Sequence, residues 1–123
     1  MTVINTNARS LCPKISSLID CFTDLTAEVG VVTETGLTDG DSLDKEVEDL
    51  MLGTELQMIY RNREANTRGF SHGGVAIIYK EALLNMRQVK IHNPKKFEVL
   101  LTQGTIKGSA RKIVVIACYA PPN

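Results

Sequence analysis

The sequence predicts an α/β fold whose first two strands run parallel, and three observations lead to this prediction. Two short, β-branched apolar runs, residues 3–7 and 29–33, flank a segment with helical periodicity. Strand, helix and strand in this order favour parallel pairing of the two strands. Two later apolar runs, residues 97–106 and 112–119, are separated by a glycine-containing segment and predict a β-hairpin. The 123 residues are expected to form a single domain, residues 1–123.

The first helix is predicted over roughly residues 14 to 25, where apolar residues recur at helical spacing. Pro13 precedes it at a first-turn position, where the missing N–H of proline does no harm. The run 29–33 that follows is short and apolar, as a buried strand is. The periodic apolar residues are Ile15, Leu18, Ile19, Phe22 and Leu25.

The middle of the chain alternates polar loops with short regular segments. Asp41 or Ser42 is positioned to cap a second helix that ends near Gly53. Residues 57–60 and 74–79 are predicted to be strands, and the polar residues between them are predicted to form a loop.

The net charge of the chain is zero, but the charges are divided between its two halves. Residues 1–58 contain eleven acids and three bases, whereas residues 59–123 contain three acids and eleven bases. A basic segment of this kind permits contact with a polyanion such as nucleic acid. Solvated surface charges that attract the acidic half explain the same composition, and from charge alone this second interpretation is favoured.

The cysteines and the hydropathy pattern predict an intracellular, reduced protein. The three cysteines are odd in number and lack the spacing of metal ligands. No apolar run approaches the length of a membrane span, and no basic-then-apolar signal peptide opens the sequence. We therefore expect no membrane association.

Polar side chains at the ends of the apolar runs are the best guide to function. Asn5 and Asn7 belong to the first run, Glu34 follows the second, and Tyr119 ends the last. If these strands lie side by side, the four side chains gather at one edge of a sheet, where α/β folds form ligand crevices. Hydrolysis of a phosphate ester needs a metal, a base that activates water, and donors for the nonbridging oxygens. The group is suited to part of that chemistry.

Each of these residues also has a structural interpretation. Glu34 is a candidate Mg²⁺ ligand, but it is equally a loop carboxylate that caps or pairs. Asn5 and Asn7 point to the same side of a strand and can serve a metal or a phosphate, or they are turn-forming asparagines. Tyr119 is suited to donate to a phosphate oxygen, or it is a half-buried core aromatic. Taken singly, the carboxylate and the amides are better explained structurally.

Four motifs in order along the chain resemble the endonuclease–exonuclease–phosphatase family. Within that family they most resemble the apurinic-endonuclease-like domain of non-LTR retrotransposon polyproteins. Each motif is weak alone, but four in the right order and spacing, covering essentially the whole chain, are a strong signal. They are Asn5-Thr6-Asn7-Ala8-Arg9-Ser10-Leu11 with Lys14, Thr33-Glu34-Thr35 with Leu37-Thr38, Gly73-Gly74-Val75-Ala76-Ile77 with Tyr79, and Tyr119-Ala120-Pro121-Pro122-Asn123.

This resemblance implies a fold and a set of site residues. The fold is a partial two-sheet β-sandwich flanked by helices, the N-terminal half of a four-layer architecture that is incomplete at its C-terminus. Asn5 matches an active-site residue of the phosphate and metal network, and Asn7 matches its second polar position. Glu34 matches the magnesium-binding glutamate, and Tyr119 the tyrosine that contacts the scissile phosphate. Asn123 matches the asparagine that ends the last motif and is implied to bind substrate.

The implied activity is that of a Mg²⁺-dependent DNA endonuclease in a nuclear retrotransposon reverse-transcriptase protein. Mn²⁺ is a possible substitute, water attacks the phosphodiester directly, and no small-molecule cofactor is expected. DNA is the implied partner, and the oligomeric state stays open. In this family an aspartate–asparagine pair and an acid–base histidine follow the last motif, and neither His72 nor His92 matches that histidine. We therefore expect little or no nuclease activity from this chain alone.

Two alternatives stay open beside this interpretation. One is another phosphodiesterase or phosphatase of the same superfamily, acting on an inositol phosphate or a lipid, although the opening motif favours the retrotransposon branch. The other is a catalytically inactive, truncated remnant. Two departures from the family pattern bear on it: Gly36 replaces a usual tryptophan, and Gly30 replaces an aliphatic strand residue. The second change is expected to weaken the strand by about 1 kcal/mol.

Overall fold

The computed structural model describes residues 1–37, 42–61, 73–91 and 97–120, and these residues form two β-sheets that pack face to face. Sheet A has the strand order β1-β2-β4-β3, and sheet B has the order β5-β6-β7. A 3₁₀ turn, Cys12–Lys14, leads into the first helix. The elements are β1 (Val3–Asn7), α1 (Ile15–Asp24), β2 (Val29–Thr33), α2 (Ser42–Met51), β3 (Leu56–Arg61), β4 (Val75–Lys80), β5 (Leu84–Val89), β6 (Glu98–Ile106) and β7 (Lys112–Tyr119).

The pairing of the strands confirms the predicted fold class. β1 and β2 are parallel, with Val3 opposite Val29 and Asn7 opposite Thr33, as the strand–helix–strand order predicts. β4 lies antiparallel to both β2 and β3, so sheet A is mixed. β6 and β7 form the predicted hairpin, and the left-handed φ of +78° at Gly108 is accommodated by the absence of a side chain.

The helices cover one face of sheet A. Ile15, Leu18 and Phe22 lie on one side of α1, because positions three and four apart share a helix face, and they pack with Ile78 of β4. A Cβ atom added at Gly30 would lie 2.7 Å from the ring of Phe22. The glycine in β2 therefore makes room for this aromatic ring, and an aliphatic side chain at this position would require the ring to move.

The second face of sheet A packs against sheet B and forms a separate core. Alternate residues of each strand point into this space, in keeping with the two-residue period of a β-strand. Val29 and Ile77 face inward from sheet A, and Leu84, Leu100 and Ala117 face inward from sheet B. All five are buried, so the two sheets are joined by a continuous apolar layer.

The outer face of sheet B is exposed along β7. Val114 is 61% exposed and Ile116 is 56% exposed, although β7 is apolar through most of its length. The described residues thus form three layers, α1 and α2, sheet A and sheet B, which is the partial two-sheet sandwich that the resemblance implies.

Strand β5 is the one described strand that the sequence patterns did not predict. Its sequence includes a charged residue, Arg87, and only one β-branched residue, so its intrinsic preference for a strand is weak. Pairing with β6, from Leu84 opposite Ile106 to Val89 opposite Leu101, decides its conformation. Most of the predicted loop 62–74, the capping residue Asp41 and both histidines lie outside the described residues. No helix within the described ranges is long and apolar enough to cross a membrane.

Candidate active site

Two of the predicted site residues meet at one rim of the sandwich, although they are distant in sequence. Glu34 directly follows β2 of sheet A, and Tyr119 is the last residue of β7 in sheet B. The Tyr119 hydroxyl donates a hydrogen bond to Glu34 Oε1 at 2.5 Å. Both side chains are only 9% exposed. A buried carboxylate that accepts a short hydrogen bond from a phenol is therefore fixed in place between the two sheets.

The backbone of Glu34 adopts an unusual conformation that its neighbours hold in place. Its φ is +53°, in the left-handed region that costs a non-glycine residue about 1–2 kcal/mol. The Ser10 N–H donates to the Glu34 carbonyl at 2.8 Å, and the Leu11 N–H donates to the Thr35 carbonyl at 2.7 Å. Arg9 and Ser10 also have positive φ. Strained backbone of this kind clusters at functional sites, where it orients side chains.

The Gly73–Gly74 turn supports the segment after Glu34 from the other side. The Thr35 N–H donates to the Gly74 carbonyl at 3.2 Å, and the Gly36 N–H donates to the Gly73 carbonyl at 3.0 Å. Both turn glycines have positive φ, +111° and +86°. A Cβ at Gly74 would lie 2.2 Å from Thr35 Oγ1, so any other residue at this position would have to displace Thr35. The two glycines of the third motif thus hold the residues that directly follow Glu34 in place through backbone hydrogen bonds.

The predicted asparagines lie on the neighbouring edge strand at the same rim. The register places Asn7 opposite Thr33, the residue before Glu34, and places Asn5 one pleat further back opposite Val31. Both are exposed on the face of sheet A that points toward sheet B. Asn7 Oδ1 accepts a hydrogen bond from the Arg9 N–H at 3.2 Å, which is the turn-forming interaction of the structural alternative.

The remaining predicted residue, Asn123, lies outside the described residues. Among the described bases of the second half of the chain, Arg61 lies near the rim at the end of β3, opposite Val75, and donates a hydrogen bond to the Val99 carbonyl at 3.4 Å. Lys107, Arg111 and Lys112 lie at the hairpin end of sheet B. At 3.3 Å per residue, the length of β7 separates them from Tyr119 by about 23 Å.

The electrostatic environment keeps Tyr119 protonated. Burial, the hydrogen bond to Glu34 and the negative charges of Glu34 and Glu98 together raise the pKa of its phenol to about 12, and burial is the largest of these causes. The hydroxyl is therefore a neutral hydrogen-bond donor throughout the physiological range of pH.

Sequence reasoning missed one acidic residue at this rim. Glu98 begins β6 directly opposite Tyr119, and its Oε2 accepts a hydrogen bond from the Gly74 N–H at 2.9 Å. The predicted hairpin, in which residues 106 and 112 flank the turn, would have placed Val99 opposite Tyr119, whereas the observed register pairs Thr105 with Lys112 and so brings Glu98 opposite Tyr119.

The donors at the rim match part of a magnesium site in kind. Mg²⁺ prefers oxygen ligands, retains several waters and is commonly bound by one or two carboxylates with substrate phosphates. Glu34 offers a carboxylate, and Asn5 and Asn7 offer amide groups on the adjacent strand. Within the described ranges no group of three or more His, Cys, Asp or Glu side chains comes together.

The paired sheets and the helical layer on sheet A define the class of protein fold. It is the endonuclease–exonuclease–phosphatase fold, of which this chain forms a part.

Solved structures similar to the chain include three that cover 95% or more of its length. It resembles the endonuclease domain of TRAS1, a telomere-specific non-LTR retrotransposon, with 12% identity and a TM-score of 0.64 over 98% of this chain and 46% of that one. The catalytic domain of human Nocturnin with bound sulfate matches with 9% identity and a TM-score of 0.66 over 98% and 49% of the two chains. The AP endonuclease LMAP from Leishmania major matches with 18% identity and a TM-score of 0.63 over 95% and 39%.

The chain therefore spans half or less of the length of these structures, and at such low identity the similarity concerns the fold. No protein-family model matches the chain, and no curated protein matches it by sequence.

Proposed function

We propose that this chain is part of a Mg²⁺-dependent DNA endonuclease domain of the retrotransposon type, which hydrolyses a phosphodiester bond. The observation that carries the proposal is the hydrogen bond from Tyr119 to Glu34, which joins the two sheets at the rim where Asn5 and Asn7 also lie. The order of the four motifs supports the retrotransposon assignment, and the similar fold of the TRAS1 endonuclease domain agrees with it. DNA is the proposed partner and the nucleus the proposed location.

Each residue has a distinct proposed role. Glu34 would hold the cation, which when bound neutralises charge on the phosphate, and Mn²⁺ would replace Mg²⁺. When substrate binds, Tyr119 would redirect its single hydroxyl proton from Glu34 to a hydrogen bond with a nonbridging phosphate oxygen, and the raised pKa of the phenol keeps it protonated for this role. Asn5 orients the phosphate, and Asn7, whose amide oxygen is engaged by Arg9, offers its amide N–H groups. Asn123 contributes a further contact to the substrate.

The chain alone is proposed to bind the cation but not to cleave DNA efficiently. Hydrolysis also requires a group that activates water and a group that protonates the leaving oxygen. The sequence motifs assign neither role to a residue of this chain, and the similar solved structures are about twice as long or more. The residues present are thus proposed to be one half of an active site.

Cation binding is the direct test of the proposed site. Mn²⁺ is titrated into the protein and followed by electron paramagnetic resonance, with Glu34→Gln as the test variant and Glu48→Gln, an exposed carboxylate on α2, as the matched control. Replacement of Glu34 is expected to weaken Mn²⁺ binding by about tenfold or more, a loss of about 1.4 kcal/mol. Equal binding by both variants would remove Glu34 from the metal site.

Nicking of supercoiled plasmid in the presence of Mg²⁺ tests the expected lack of activity. The wild-type chain is expected to produce no more nicked plasmid than Glu34→Ala does. Efficient nicking that Glu34→Ala abolishes would show that the chain contains a complete active site. Hydrolysis of an inositol phosphate or a phospholipid, with DNA left intact, would favour the other phosphodiesterases of the superfamily. Neither cation binding nor hydrolysis of any of these substrates would favour the inactive remnant.

A further inference from the structure

Glu98 holds a position at the rim that the sequence motifs do not assign. It is the only acidic residue in the three strands of sheet B, and it begins β6 directly opposite Tyr119. The side chain is half-buried rather than directed into open solvent. A carboxylate in this environment requires a partner, because its transfer out of water is unfavourable without hydrogen bonds.

The partner of Glu98 is the backbone of the other sheet. Glu98 Oε2 accepts a hydrogen bond from the Gly74 N–H at 2.9 Å, and Gly74 immediately precedes β4 of sheet A. This bond crosses between the sheets beside the bond from Tyr119 to Glu34. Two facing residues of sheet B therefore bind the Glu34 and Gly74 region at the rim: Tyr119 as a hydrogen-bond donor and Glu98 as an acceptor.

The bond from Gly74 to Glu98 acts on Glu34 through the glycine turn. The carbonyls of Gly73 and Gly74 accept hydrogen bonds from the backbone of Gly36 and Thr35, the residues that directly follow Glu34. Fixing the turn consequently fixes the segment whose left-handed backbone presents the Glu34 carboxylate. Tyr119 faces Glu98 across the hairpin, and its hydroxyl contacts the Glu34 carboxylate from sheet B.

We propose that Glu98 is a positioning residue that clamps the Gly73–Gly74 turn and thereby sets the geometry of the Glu34–Tyr119 pair. This inference rests on the proposed function for its consequence, which is the orientation of Glu34 toward a divalent cation. The clamp itself depends only on the hydrogen bond between Glu98 and Gly74, so the two can be tested separately.

The first test needs no metal and begins with the wild-type protein. The Gly74 amide proton is followed by NMR hydrogen exchange and chemical shift, with the solvent-side amide of Gly53 as an internal reference. Slower exchange at Gly74 than at Gly53 is expected, since a carboxylate that accepts the amide proton protects it. Exchange at Gly74 as fast as at Gly53 would show that the clamp does not exist.

Variants of Glu98 then distinguish a hydrogen-bond acceptor from a general structural role. Glu98→Ala removes the acceptor, whereas Glu98→Gln retains a carbonyl oxygen that can accept the same proton. We expect Glu98→Ala to speed exchange at Gly74 about tenfold and to shift the Tyr119 ring resonances, and we expect Glu98→Gln to restore most of both signals. Equal disturbance by the two variants, or no disturbance by Glu98→Ala, would overturn the positioning role.

Mn²⁺ titration connects the clamp to the proposed metal site. Glu98→Ala is expected to weaken Mn²⁺ binding about tenfold, and Glu98→Gln is expected to bind nearly as well as wild type, because outer residues that orient a ligand affect affinity on this scale. An equal loss in both variants would make Glu98 a ligand and overturn its positioning role. If the wild-type protein binds no Mn²⁺, the proposed function loses its metal site, and the exchange rates at Gly74 still decide the clamp.

Discussion

The central strands of sheet A, β2 and β4, are covered on both faces, whereas the outer face of sheet B is exposed along β7. Ile78 of β4 is buried beneath α1, but Ile116 of β7 is 56% exposed although its sequence context is equally apolar. An unbroken apolar run is usually read as a strand buried on both faces. The comparison shows that such a run fixes the tendency to form a strand, and that the packing of other elements decides how many faces become buried.

The two sheets also differ in how they present their site residues. In sheet A, Glu34 lies just after β2 and has a strained backbone with positive φ. The Ser10 N–H donates to its carbonyl, and the two residues that follow it donate to the carbonyls of Gly73 and Gly74. Sheet B delivers Tyr119 and Glu98 from regular, directly paired strand positions. Sheet B therefore acts as a regular platform against which the irregular segment of sheet A is fixed.

The difference in coverage predicts the largest difference between matched substitutions. Ile78→Thr is expected to lower the free energy of unfolding by about 4 kcal/mol, since it removes buried methylene groups and buries a hydroxyl. Ile116→Thr keeps a β-branched side chain on an exposed face and is expected to change the free energy of unfolding by less than about 0.5 kcal/mol. Urea unfolding followed by circular dichroism measures both. Similar losses would mean that the outer face of sheet B is covered in solution.

The glycine turn predicts a somewhat smaller effect. Gly74→Ala is expected to lower the free energy of unfolding by about 3 kcal/mol, because its Cβ would overlap Thr35 Oγ1 in addition to the cost of positive φ. Gly108→Ala is the control, since Gly108 also has positive φ but nothing lies within 4 Å of an added Cβ. Its expected cost is about 1 kcal/mol. Thermal or urea unfolding of the two variants separates overlap from backbone strain, and equal costs would argue against the tight junction at Thr35.

The smallest expected effect is the titration of Tyr119. Because its pKa is raised to about 12, the folded protein holds the phenolic proton more tightly than the unfolded chain does. The resulting contribution to stability is complete below about pH 10, the pKa of an unperturbed tyrosine, and is lost as the pH rises toward 12.

Urea unfolding at a series of pH values between 9 and 12 measures this loss. The decline in wild-type protein is expected to exceed that in Tyr119→Phe, and the ultraviolet tyrosinate signal that titrates near pH 12 is expected to disappear in the variant. Identical pH profiles for the two proteins would contradict the coupling of Tyr119 to Glu34.

The elements that sequence patterns predicted are those whose residues carry their own signal. α1 has a periodic apolar face, β2 is short and β-branched, and the hairpin of β6 and β7 has a glycine turn. β5 was missed because its residues only weakly prefer a strand and its conformation depends on the pairing with β6. The sequence predicted only that Gly30 would weaken its strand. The structure adds that the ring of Phe22 occupies the space that a side chain at Gly30 would need.

The site residues also divide into those that the sequence motifs identified and one that only the structure revealed. The motifs singled out Glu34 and Tyr119, and the structure joins them by a hydrogen bond. The roles of Asn5, Asn7 and Asn123 stay predictions, and Asn7 also makes the turn contact that its residue type favours. Glu98 was missed because its partner is a backbone amide, which no side-chain pattern reveals.

The sequence by itself determined six of the seven described strands, the first helix and the residue types suited to phosphate chemistry, because these follow from local periodicity and from the chemistry of each side chain. Only the tertiary structure decided which faces are buried, how Glu34 is held at positive φ, and that the Glu98 carboxylate of sheet B accepts a hydrogen bond from the Gly74 N–H just before β4 of sheet A. Those features depend on contacts between residues far apart in the chain, and the free energy of such contacts is set by packing and hydrogen-bond geometry that local sequence does not specify.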